Sequence, residues 1–527
     1  MPITPTYPGL YIEELPNSTH SIVAAPTSIT VFVGYTHPFK TTTFNEAIPI
    51  SSFTDYEREF GGLYASGVFD SSVAYAVNEF FLNGGSRAYV VGLQANYHDA
   101  AGAVLNPTPP VGTSVTVPTT GGGIIFTAQE PTDRVPMRVT ISNRKQTVSP
   151  NDTADISIAY GSRVETFRSV VLSNIETVIG TVASPVSSMI TVSPDAGIYG
   201  TAFAADTVTP VGFTPPPTFS STFSAADFMD VFQQDSSLDK VDIFNLLAIP
   251  GVSDNSIWSL ALAFCERKLA FGIMDPPRQA AADRFAARVT PTLSLPLIAD
   301  ELPLLPKSIN GALYFPYLNT IDPLTASAIE LPPSGFVAGV YARIDTNRGV
   351  WKAPAGFEAT VNNTTGVVAR GRLSDTGQGA LNPIAINCLR SFPGIGSTVV
   401  FGARTLQGAD TNTAFQQWKY VPVRRLALFI EQTLLRNLTW AVFEPNDEPL
   451  WIAMRTSVEN FMLSLFNQHA FQGSKPSQAF QVKCDASTTT QQDIDNGIVN
   501  IIVAFAPLKP AEFVIIKIAQ LAGQAQT

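Results

Sequence analysis

Between residue 223 and about residue 410, short apolar runs alternate with helical patterns, and this alternation restricts the fold more than any other feature of the chain. Phe244–Ile249 reads as a strand, Asn255–Leu269 as a helix, and Phe271–Met274 as a strand stopped by Asp275-Pro276-Pro277. Strands separated by helices need crossovers, and crossovers produce a mostly parallel or mixed sheet with helices packed on it. The pattern starts earlier. Ile29–Gly34 predicts a strand ended by glycine, and Asp70–Leu82 a helix with Val73, Val77 and Phe80 or Phe81 on one face. Asn83-Gly84-Gly85 ends that helix, and Ala88–Val91 follows as a buried strand.

Two regions break the pattern. From 94 to 222 Pro, Thr, Ser, Val and Gly dominate, with alternating runs such as Ser114-Val115-Thr116-Val117 and Met137-Arg138-Val139-Thr140-Ile141. We expect an inserted β-rich domain there, bounded by Pro107–Pro110 and Pro215–Pro217 and placed on the outside of any assembly. Residues 1–26 hold Pro2, Pro5, Pro8, Pro16 and Pro26 around Tyr11-Ile12-Glu13-Glu14, an extended arm rather than a helix.

After residue 420 two helices are expected. Val423, Leu426, Ile430, Leu434 and Leu438 recur at helical spacing, as do Trp451, Met454, Val458, Phe461 and Leu465 behind a capping Asp447 and Pro449. Strands Val499–Phe505 and Phe513–Ile518 close the chain across a Pro507/Pro510 corner. An apolar strand at the very end is an edge hazard in a monomer. It is either donated to another chain or placed in the chain's own sheet.

Composition narrows the function. Charged residues make up 14% of 527, where about 25% is usual. Either other copies cover the uncharged surface, or a β-rich domain uses Ser, Thr and Asn in place of charges. The net charge of −11 and the absence of a basic stripe argue against a nucleic-acid partner. Residues 420–527 hold eight basic and nine acidic side chains, so the negative excess lies elsewhere in the chain. Cys265, Cys388 and Cys484 are too far apart for a metal knuckle and are expected as buried free thiols in a reducing compartment. No secretion signal or spanning segment is read, so no direct membrane insertion is expected.

The signatures of catalysis are absent: no GxxxxGK[ST], HExxH or GxSxG occurs. His20, His37, His98 and His469 do not cluster as metal ligands do. Gly121-Gly122-Gly123 and Gly394-Ile395-Gly396 could cradle a phosphate, but flexible loops explain them as well. Asp275, Glu444, Asp447 and Glu448 fit turn and capping roles better than an acid/base pair. Arg424-Arg425 opens a helix, where cations are unfavourable, so partners are expected, acidic residues of the same subunit or of a neighbour. No catalytic residue, cofactor or metal is assigned.

Eight segments in order resemble the contractile tail-sheath proteins of phage tails and contractile injection systems. They are Tyr7–Glu14 leading into Thr27–Gly34, Phe80–Gly85 leading into Tyr89–Val91, Gly349–Gly356, Phe401–Leu406, Tyr420–Leu426, Trp440–Asn446, Phe480–Asp485 and Ala506–Phe513. The resemblance covers 1–93 and about 240–527, and leaves 94–222 unmatched.

The fold class it implies is an α+β, α/β multidomain protein: a mixed-sheet sheath core with an inserted β-rich outer domain and extended N- and C-terminal arms. The expected parts are a linking arm 1–26, core 27–93, variable domain 94–222, α/β core 223–419, a C-terminal domain 420–510 facing an inner tube, and a linking arm 511–527. The resemblance further implies stacked hexameric rings in a helical sheath that contracts to drive the tube through a target envelope. Its partners would be copies of itself, an inner tube protein, and baseplate and tail-terminator or cap proteins. Assembly would take place in a bacterial or host cytoplasm, with release by lysis as a phage-tail-like particle. Tyr11, Ile12, Glu13, Phe513, Val514, Ile515, Ile516 and Ile518 would form the donated strands, and Ile501, Val503 and Phe505 the receiving one. Lys475, Lys483 and Asp493 are candidate tube contacts. Two other readings remain, a surface β-rich binding protein or adhesin using 94–222 and an α/β enzyme using 240–410.

Overall fold

Strands that are apolar on both faces need cover on both faces, and six of them lie side by side in parallel at the centre of this protein. In spatial order they are Ala88–Leu93, Thr30–Tyr35, Leu246–Ala248, Phe271–Met274, Gly311–Phe315 and Ile386–Ser391. Antiparallel strands finish the nine-stranded sheet, Ala47–Ile50 on one side and Thr398–Phe401 then Thr360–Val361 on the other. The structure is a computed structural model of the 527-residue chain, and it describes residues 20–66, 71–94, 97–98, 104–106, 114–145, 152–212, 225–276, 306–368, 372–392 and 396–517. Its residues fall into two compact units, 26–424 and 1–25 with 425–527.

The mixed sheet expected from the alternation is therefore present, with every residue of Thr30–Tyr35, Phe271–Met274 and Gly311–Phe315 buried. One face packs on helix Asn255–Arg267 through Ile257, Trp258, Leu262 and Cys265. Helix Val73–Leu82 packs against helix Ser334–Arg348 at close range. A Cβ on Gly335 would meet the Ala76 backbone at 2.5 Å, and one on Gly339 would meet Asn83 Cβ at 2.5 Å. Asp275, at the end of Phe271–Met274, sits beneath the start of the second of these helices. Its carboxylate accepts from Ser334 N (2.8 Å), Ser334 Oγ (2.7 Å) and Gly251 N (2.9 Å). Burial pushes its pKa up to about 7, against those three donors. This is the capping role, not half of a carboxylate pair.

Residues 114–212 form two antiparallel sheets over a core of their own. One holds Ile190–Pro194, Gly122–Ala128 and Ser114–Thr119; the other holds Arg163–Val171, Thr153–Tyr160, Met137–Lys145 and Thr207–Val211. Period-two alternation puts Ile156, Ile158 and Tyr160 inward against Phe126 and Ile190. Gly121-Gly122-Gly123 is not a flexible loop. Thr119 pairs with Gly122 across a tight hairpin, and Gly121 takes φ 80° to close it. Gly394 and Ile395 lie outside the described residues.

A buried ion cluster ties this β body to the central sheet. Glu130 receives His37 Nε2 at 2.7 Å, Arg163 Nη1 at 2.9 Å and the Lys40 ammonium. Burial alone would raise its pKa, but the His37 hydrogen bond and the Lys40 and Arg163 charges hold it near 2, while burial pushes the His37 imidazole below its usual value. Beside the cluster, Ser162 N donates to Leu324 O at 2.7 Å, and Leu324 enters the β body's core.

In the second unit, helix Glu448–Asn467 buries Trp451, Met454, Val458, Phe461 and Leu465 as the spacing predicted, and Leu450 besides. Asp447 holds the N-cap position with no side-chain capping bond, so the expected cap is positional only. Strand Phe480–Lys483 pairs antiparallel with Ile502–Phe505, three residues shorter than expected at its start. Residues 511–517 lie in no strand, and among the described residues no strand edge pairs with them.

All three cysteines are buried free thiols, as expected. Arg424, at the start of helix Val421–Asn437, donates Nε to Asn310 Oδ1 at 2.9 Å and lies over the Trp418 ring at 5.1 Å.

Candidate assembly surface

Three features of the second unit bear on assembly, two with open hydrogen-bonding or apolar capacity and one already closed on itself. The first is the ribbon of Phe480–Lys483 and Ile502–Phe505, in register from Phe480↔Phe505 to Lys483↔Ile502. Phe471 packs beside Phe480 and Phe505, at 6.2 Å and 5.8 Å between ring centroids. Among the described residues no third strand joins it. A two-stranded ribbon in water is marginal, and each outer edge presents unpaired amides and carbonyls.

The second is the run after the ribbon. Phe513, Val514, Ile515 and Ile516 are 73%, 82%, 81% and 80% exposed. Four consecutive large apolar side chains in water are a liability unless something covers them.

The third is the inbound strap. Residues 20–25 run along helix Val421–Asn437. Val23 N donates to Asn437 Oδ1 at 2.9 Å, and Asn437 Nδ2 donates back to Val23 O at 2.9 Å. Ala25 N donates to Thr433 Oγ1 at 3.1 Å, and the His20 ring stacks on Trp440 at 3.8 Å. Asn437 thus satisfies both backbone groups of one residue, which makes a segment without secondary structure adhere.

Of the residues singled out in the sequence, Phe513–Ile516 and the Ile501, Val503 and Phe505 strand share this unit; Ile501 itself lies just before the paired strand. Tyr11, Ile12, Glu13 and Ile518 lie outside the described residues. Lys475 and Lys483 are exposed. Asp493 is engaged locally: its carboxylate accepts from Thr490 N and Oγ1 in a capping box, which holds its pKa down. The strap residues Asn437 and Thr433 carry no sequence signal, since an Asn or Thr late in a helix reads as an ordinary polar position. Among the described residues no group of three His, Cys, Asp or Glu could hold a metal ion, and no helix is long and apolar enough to cross a membrane.

Residues 225–406 match the phage tail sheath protein central domain, and residues 413–520 match the phage tail sheath C-terminal domain, together more than half of the chain. No curated protein matches it. Among solved structures it is similar to a chain of the extracellular contractile injection system PVC sheath complex in the contracted state, with 23% identity over 98% of each chain and a TM-score of 0.57. It is also similar to the anti-feeding prophage helical sheath in the contracted state, with 22% identity over 98% of this chain and 100% of that one and a TM-score of 0.56. The sheath tail protein of Desulfitobacterium hafniense shares 13% identity over 95% of this chain and 100% of that one, with a TM-score of 0.51. At these identities the likeness establishes the fold. Family and fold together define a structural protein of the contractile-sheath class. The chain belongs to the contractile tail sheath family, the family its eight sequence segments resemble.

Proposed function

We propose that this chain is the repeating subunit of a contractile sheath. Copies stack as hexameric rings around an inner tube and shorten to drive that tube through a target envelope. The observation that carries the reading is the exposed run Phe513–Ile516 in the unit that also holds the open-edged ribbon Phe480–Lys483/Ile502–Phe505. Strand addition matches the two: the run of one copy supplies amides, carbonyls and apolar side chains, and the ribbon of another accepts them. Residues 1–26 act as the second linking arm, with Tyr11, Ile12 and Glu13 in its strand. The β body at 114–212 faces outward.

Magnitudes favour many weak links. Burying four such side chains contributes roughly 6–12 kcal/mol at about 1.5–3 each. Ordering about seven residues costs roughly 7–14 kcal/mol at about 1–2 each. One arm is close to neutral, so connectivity depends on two arms per subunit acting at high effective concentration. Contraction then needs no nucleotide, only two packings of different free energy. The remaining partners are the tube, with Lys475, Lys483 and Asp493 as candidate contacts, and the baseplate and terminator. Assembly takes place in the cytoplasm and release follows lysis.

Deleting residues 511–527 tests the reading. The truncated chain should stay soluble, give wild-type circular dichroism and form no striated tubes by negative-stain microscopy. Tubes of normal length from the truncation would sink it.

A further inference from the structure

Phe443 is fully exposed, and its backbone sits in the left-handed region at φ 71°. That conformation costs a bulky aromatic residue of order 1–3 kcal/mol, and here no buried contact within the chain offsets it. The loop that presents it is held rigidly. Glu444 N donates to Ala441 O at 3.3 Å, Asn446 Nδ2 donates to Ile498 O at 3.0 Å, and Trp451 Nε1 donates to Asn446 Oδ1 at 2.9 Å. The result is an aromatic knob on a fixed base. Val442 beside it is exposed, as are Glu444, Asp447 and Glu448 just after it in the chain. No basic residue occurs between Arg436 and Arg455, so the charges carried by this loop are all acidic.

The unit of residues 26–424 carries a cavity of the opposite character. It has a volume of about 500 Å³ and mixes the apolar side chains of Val367, Leu373, Leu389 and Phe392 with threonine and serine hydroxyls, and Arg372 and Arg390 also line it. The Arg390 guanidinium lies over the Phe392 ring at 4.8 Å and bonds to Asp375 and Gln378, while its Nε is buried without a partner. Arg372 is exposed. Asp375 is 93% exposed, so its pairing with Arg390 is weak and leaves the rim cationic.

We propose that Phe443 of one copy seats in the Phe392-lined cavity of another copy, with Glu444 facing Arg372. Charge complementarity selects a second copy as the occupant: an aromatic knob on a loop whose charges are all acidic meets a cavity that offers an aromatic ring, apolar side chains and two arginines. A knob and a cavity on different surfaces make a heterologous contact, and such a contact propagates into rings or helices rather than closing as a dimer. The inference rests on the reading of the chain as a polymerising subunit. It adds a contact made by folded surfaces rather than by arms.

The test uses the full-length chain and separates folding from assembly. Phe443→Gly relieves the φ 71° backbone, so its thermal midpoint should equal or exceed wild type. Its assembly, followed by sedimentation and negative-stain microscopy, should need at least about tenfold higher concentration, as for loss of an interface anchor. Glu444→Arg and Arg372→Glu should each weaken assembly, and the two in one chain should restore it. Phe443→Gly tubes at the wild-type concentration would overturn the knob, and a double variant no better than the singles would overturn its seating in this cavity. Phe443→Gly that forms empty sheaths but fails to coat the tube would make the tube the occupant and overturn the second-copy assignment. A wild-type chain that never polymerised would remove the sheath reading itself, whereas these variants leave that reading standing.

Discussion

Glu130 and His37 lie 2.7 Å apart, carboxylate oxygen to Nε2, with both side chains wholly buried where the β body meets the central sheet. Lys40 and Arg163 complete the cluster. Removing one member of such a group leaves the others charged and dry. Glu130→Ala should therefore destabilise the chain by about 3–5 kcal/mol. The pH dependence follows from two lowered values. Glu130 contributes stability that is present above its unfolded value of about 4.5 and lost as pH falls towards 2. His37, held below 6.5, favours the neutral ring, so its contribution falls as pH drops below 6.5. Thermal midpoints of wild type should therefore fall relative to those of His37→Gln as pH drops from about 7 to 5, and relative to those of Glu130→Gln as pH drops from about 4.5 towards 2. An unchanged slope in His37→Gln would remove the ring from the account.

Asp275 titrates with the opposite sign. Its folded value, about 7, lies above the unfolded 3.8. The stability it contributes is complete below 3.8 and is lost as pH rises through 7. Asp275→Ala should cost about 2–4 kcal/mol, since it strands the amides of Gly251 and Ser334 and the Ser334 hydroxyl. Asp275→Asn should cost less at pH 8 than at pH 4, because the neutral amide keeps an acceptor and escapes the ionisation penalty. Denaturant midpoints of wild type and Asn variant at the two pH values check this; a difference that does not change with pH would disprove the burial argument.

Asn437 fastens residues 20–25 through two hydrogen bonds to Val23, each worth about 0.5–1.5 kcal/mol. Asn437→Ala should free the strap while leaving helix Val421–Asn437 and its buried face intact. Limited proteolysis should then cleave near residues 20–25 several-fold faster than in wild type, with no shift in global unfolding. Equal cleavage rates would show that Thr433 and the His20–Trp440 stack hold the strap without it.

Much of the architecture was legible beforehand. Phe271–Met274, Asn255–Arg267, Val73–Leu82 and Glu448–Asn467 follow from periodicity and from nearby Gly, Pro and Asn stops, all of which act within a few residues. The Phe513–Ile518 run marks the limit of such signals: β-propensity states what a segment can do and not where the edge that pairs with it comes from.

The sequence by itself determined the alternating strands and helices, the β-rich character of 114–212 and the apolar run Phe513–Ile516, because these depend on local spacing and on which side chains avoid water. Only the tertiary structure decided that Glu130 would meet His37, 93 residues away, that Asn437 would hold Val23, and that Phe443 would stand out in solvent at positive φ. Such pairings are set by which surfaces the packed elements bring together, and spacing along the chain carries no record of that.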